Sequence, residues 1–129
     1  MKENVSLTIA SLLSILLMTL HLADDIVRGF ERPVSNLFAV PILVIWLYGT
    51  LVLAERRSGY VIILLASLVG TLAPILHFRG MGEVVGGEIA RSSGGLFFVW
   101  TLIALGVTAL FSVVLSARGL WRPGRGQAR

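Results

Sequence analysis

The chain contains no cysteine. That absence excludes disulfides, thiolate metal sites, iron–sulfur clusters and covalent c-type haem attachment, so any cofactor must be held by histidine, carboxylate or packing. Charge is scarce too: 14% of the 129 residues are charged, against 56% hydrophobic. Such a chain lacks the polar surface to cover its apolar mass in water, and it belongs in a bilayer. Histidine occurs twice, at His21 and His77. The sequence has no compact metal-ligand motif, no nucleophile elbow and no phosphate-binding glycine pattern.

What is present is apolar sequence in lengths that match the hydrocarbon core, which takes about 17–25 helical residues. Val5 to Ala23, Leu37 to Leu53, Tyr60 to Phe78 and Leu96 to Leu115 each qualify. The first continues in helical pattern through Asp24 to Arg28 until Gly29 offers a stop. It reads as an uncleaved span, because His21 at position −3 before a cut at Ala23 is not small. The expectation is an all-α integral membrane four-helix bundle of antiparallel up-down topology, with spans about 5–28, 37–54, 60–78 and 96–117. Residues 1–117 form this single domain, and 118–129 a basic cytoplasmic tail. Pro41 removes a backbone donor and is expected to bend its span, and Pro74 frees the carbonyl of Gly70, which must find a partner within the protein.

The cations give the orientation. With both termini cytoplasmic, Lys2, Arg56, Arg57, Arg118, Arg122, Arg125 and Arg129 lie inside, and Arg28, Arg32, Arg79 and Arg91 outside. The excess inside favours an N-in, C-in protein of a bacterial-type cytoplasmic (inner) membrane. The net charge of +4 and pI near 10.7 come from short loops and a tail beside the spans. The expected partner is therefore anionic lipid, met by Arg118, Arg122 and Arg125, and not nucleic acid. Tyr60, Trp100 and Trp121 fit interfacial anchors, and the aromatics read mostly as lipid-facing or interfacial.

Two faces stand out. On the first span Ser11, Ser14, Met18, His21, Asp25 and Arg28 follow at three- and four-residue steps, within about a 100° arc of a helix. The inner half of this stripe, through Met18, reads as packing. Its outer end is ionic, with Asp25, or else Asp24, expected to pair with Arg28. On the third span Ala66, Gly70 and Ala73 make a small-residue packing seam that ends in His77. Both spans run outward, which puts His21 and His77 at similar depth beneath the glycine-rich connection 79–95.

If the histidines converge, His21, Asp25 and His77 supply two imidazoles and a carboxylate, with Asp24 or Glu83 as a further oxygen donor. That set suits zinc, iron or manganese; imidazoles from two helices could also hold a b-type haem. The leading expectation is a non-enzymatic accessory or assembly subunit, a homo-oligomer or part of a larger membrane complex. It rests on small size and the lack of a compact catalytic motif. The alternative is a metal- or haem-binding membrane protein with an outer-face His/Asp site, redox or hydrolytic. A second alternative is a small solute or ion transporter.

Overall fold

The computed structural model describes residues 2–29, 33–78 and 88–122. Glu83, Arg125 and most of the glycine-rich connection lie outside the described residues. The described chain is all-helical: α1 Lys2–Arg28, α2 Pro33–Leu51, α3 Arg57–Phe78, the single turn α4 Glu88–Arg91, and α5 Gly95–Trp121. Among these, Asn4–Arg28, Arg57–Phe78 and Gly95–Trp121 are long and apolar enough to cross a membrane, while Leu37–Leu51 is a shorter apolar helix. The chain is a membrane protein.

The helix ends follow from local sequence. Gly29 closes α1 with φ 75° and donates its N–H to the Ile26 carbonyl, a left-handed stop that glycine adopts without strain. Between α2 and α3 the chain folds so tightly that a Cβ on Gly59 would sit 1.9 Å from the Leu53 carbonyl oxygen. Only glycine fits there. α2 consequently ends at Leu51, short of the expected 54, and α3 begins at Arg57, ahead of the expected 60. Neither Pro41 nor Pro74 ends its helix.

The outward faces are apolar: Val5, Ile9 and Leu16 of α1, Val40 and Val44 of α2, Val107 and Phe111 of α5 are all exposed. The buried faces combine large apolar residues such as Trp46, Phe98, Leu102 and Leu105 with small and hydroxyl residues, among them Ser11, Ser14, Thr50, Ser67, Thr101, Ala109, Ser112 and Ser116. In hydrocarbon, burying a leucine gains little over leaving it in lipid, so helices are joined by close approach and by polar contacts. Ser11 illustrates the second. Its Oγ accepts from Trp46 Nε1 at 2.9 Å and lies 2.7 Å from Thr50 Oγ1, whose own proton goes to the Trp46 carbonyl at 2.9 Å. With that proton committed, Ser11 donates to Thr50 and the three groups are mutually satisfied. Ser14 Oγ similarly reaches the Ala10 carbonyl at 2.8 Å and Thr108 Oγ1 at 3.1 Å.

Close approach joins α3 to α5, the most extensive contact in the fold. Gly70 faces Ala109, Leu105 and Trp46, and Gly106 faces the Pro74 ring. Gly119 lies against the Tyr60 ring. Ala66 packs beside Trp46 and Ile63, and Ala73 beside Phe98 and Leu102. One aromatic expectation is corrected here. Tyr60 is buried, its hydroxyl donating to Asn4 Oδ1 at 2.8 Å. Trp46 is buried as well. Trp100 and Trp121 are exposed.

A Cβ on Gly106 would stand 2.7 Å from Pro74 Cγ. Gly106→Leu is therefore expected to lower stability by about 1–3 kcal/mol through overpacking. The exposed neighbour substitution Val107→Leu should leave thermal unfolding in detergent nearly unchanged. Equal melting of both variants would contradict the α3–α5 packing.

Candidate metal centre

One turn of α1 separates His21 from Asp25, so both side chains leave the same face. That face turns into the protein: the two side chains are 3% and 4% exposed. His21 Nε2 lies 3.4 Å from Asp25 Oδ2. From α3, His77 brings its Nε2 to 3.7 Å from the same oxygen. The imidazoles meet edge to face, with centroids 4.7 Å apart and an interplanar angle of 73°. One ligand atom from each of the three residues falls within 4.8 Å of the others.

Hydrogen bonding decides what these atoms offer. His77 Nδ1 is 2.8 Å from the Ala73 carbonyl oxygen. A carbonyl only accepts, so Nδ1 carries the proton and, in the neutral ring, Nε2 presents its lone pair towards Asp25. This is how a metal-binding imidazole is commonly oriented. His21 Nδ1, His21 Nε2 and Asp25 Oδ1 are buried without a hydrogen-bond partner among the described residues. Buried polar atoms in that state cost free energy, and a buried carboxylate costs far more. Lone pairs converging on one small volume are relieved by a cation. Bonds of about 2.0–2.1 Å to a tetrahedral ion would place donors roughly 3.3–3.5 Å apart, the scale of the two separations to Asp25.

Phe98 of α5 forms the wall, its centroid 4.9 Å from that of His21 and 5.8 Å from that of His77. It is fully buried, packed with Ile89 of α4 and Leu102. The Arg28 guanidinium stands over the outer face of this ring, 5.5 Å from its centroid. Arg28 also donates to Asp24 Oδ2 at 3.0 Å, Ser92 Oγ at 2.8 Å and the Ser93 carbonyl at 3.3 Å, joining the end of α1 to the α4–α5 turn.

The structure thus brings His21, Asp25 and His77 together and sets Asp24 apart. Of the two acids expected to pair with Arg28, Asp24 does so and Asp25 does not, because Asp25 turns inward to the imidazoles while Arg28 leans over α5. Asp24 is held by Arg28 and is not a further metal ligand in this arrangement. A bis-imidazole haem does not fit either: axial imidazoles stand on opposite faces of the macrocycle, and rings 4.7 Å apart at their centroids leave no slab between them. Sequence reasoning missed Phe98 and Ser92. Phe98 belongs to an aromatic-rich helix start that reads equally well as lipid-facing, and Ser92 gave no signal of its own. No known family model, curated protein or solved structure matches the chain.

The pairing at Arg28 can be tested by double-mutant cycles. Asp24→Asn and Arg28→Ala should couple by about 0.5–1 kcal/mol in unfolding free energy, as partly exposed ion pairs do. Asp25→Asn and Arg28→Ala should be additive; the opposite assignment of coupling would overturn the geometry.

Proposed function

We propose that this chain is a membrane component that holds one divalent transition-metal ion at His21, Asp25 and His77. The observation that supports it is the convergence of three donor groups from two helices, His21 and Asp25 buried and His77 partly buried, with His77 oriented through Ala73. An accessory subunit was the leading expectation because no compact chemical constellation was visible. A His₂Asp set supplies one, and two neutral imidazoles with one carboxylate leave a divalent ion a net single positive charge and open coordination positions. The ion would then be a Lewis acid at the end of the bundle, available to an exogenous ligand.

In this reading the bundle has four spans, with α2 as the fourth, in antiparallel up-down order. Lys2, Arg56, Arg57, Arg118 and Arg122 face the cytoplasm and anionic lipid of a bacterial-type inner membrane, and the metal site lies at the outer interface. A site is favoured over a transport path because Ser11, Ser14, Thr50, Thr108, Ser112 and Ser116 are engaged with one another or with carbonyls.

The test is metal content of protein purified in mild detergent, equilibrated with zinc and freed of excess ion. Wild type should retain about one zinc per chain. His21→Ala, Asp25→Ala and His77→Ala should each lose at least about ten- to a hundredfold in affinity while keeping the helical circular dichroism of wild type. Equal zinc retention by wild type and all three variants, or none by wild type, would contradict the proposal.

A further inference from the structure

Resting on the metal-binding reading, we propose that Phe98 sets the coordination number of the bound ion. It holds the ion to the three protein donors and one small exchangeable ligand, and so makes the site selective for zinc-like ions over manganese and magnesium.

The argument starts from what surrounds the donors. An octahedral ion on this set needs three further ligands, and magnesium and manganese favour oxygen in that geometry. The Phe98 ring occupies space beside both imidazoles, at 4.9 and 5.8 Å between centroids. Its carbon face offers nothing to hydrogen-bond a metal-bound water on that side, where ordered water needs polar partners; the opening left beside the partly exposed His77 is where one exchangeable ligand enters. Among the described residues, no other histidine or carboxylate joins the group, and Asp24 is taken by Arg28. Zinc has no geometric preference from its d electrons and is content with four ligands.

The wall is also held in place. Phe98 N donates to the Gly94 carbonyl at 3.0 Å, at a turn where Gly94 takes φ 79°. A Cβ on Gly95 would stand 2.0 Å from the Ile89 carbonyl oxygen, so the strap between α4 and α5 closes this tightly only with glycine. Ile89 and Leu102 pack against the Phe98 ring and Arg28 covers its outer side. Swinging the ring away from the imidazoles would require displacing these neighbours.

Cobalt(II) provides the test, because four-coordinate cobalt absorbs visible light much more strongly than six-coordinate cobalt. Cobalt-loaded wild type should show the strong four-coordinate bands. Phe98→Ala should bind cobalt with the weak six-coordinate spectrum, and its zinc-over-manganese affinity ratio should fall by about tenfold or more. Phe98→Leu, which keeps an apolar wall of smaller reach, should fall between them and serves if the alanine variant does not fold. Stoichiometric cobalt with a six-coordinate spectrum in wild type would overturn this inference and leave the metal site standing. No cobalt binding by wild type would overturn both. An unchanged spectrum and metal preference in the folded Phe98 variants would overturn the role given to Phe98.

Discussion

The arrangement depends on a carboxylate placed between two imidazoles at the end of a helix bundle made for lipid. Asp25 and His21 come from one turn of α1, but their partner His77 comes from α3. Its position is fixed by the way α3 lies against α5, where Gly106 admits the Pro74 ring and Gly70 meets Ala109. Phe98 of α5 lies beside both imidazoles. Removing any of these close approaches would separate donors that belong to different helices. The small residues of the seam and the chemistry at its end are parts of one construction.

The interior explains why such a site is sustainable. Polar groups inside a bilayer must find partners within the protein, and most of those buried here do so locally: Thr108 with Ala104, Ser112 with Thr108, Ser116 with Ser112. Those bonds bind hydroxyls to their own helices, while Ser11 with Thr50 and Trp46, and Ser14 with Thr108, cross between helices. Against that background the buried atoms without a hydrogen-bond partner among the described residues are Ser67 Oγ and, grouped at one place, three atoms of His21 and Asp25. In the neutral His21 ring one nitrogen carries the proton and the other a lone pair, and it is that lone pair, with the one on His77 and the Asp25 carboxylate, that a cation would engage.

Much of this was legible in the sequence. Helical spacing alone put Ser11, Ser14, His21 and Asp25 on one face, and all four are buried. Span length identified α1, α3 and α5, and the glycine at 29 marked a helix end. What periodicity cannot supply is which helices touch. The meeting of His21 with His77, the choice of Asp24 over Asp25 by Arg28, and the burial of Trp46, Tyr60 and Phe98 are set by the packing of faces that look alike in sequence. An aromatic residue in a membrane helix is equally at home against lipid or against a neighbour, so its hydrophobicity carries no address.

X-ray absorption at the zinc edge tests the central claim most directly, because it reads the atoms bound to the ion. Zinc-loaded protein should give a nitrogen and oxygen shell at about 2.0–2.1 Å with the outer-shell scattering of two imidazoles, and His77→Ala should retain the signature of at most one. A wild-type spectrum without imidazole scattering, or one unchanged by His77→Ala, would contradict the assignment of His21, Asp25 and His77 as the metal site.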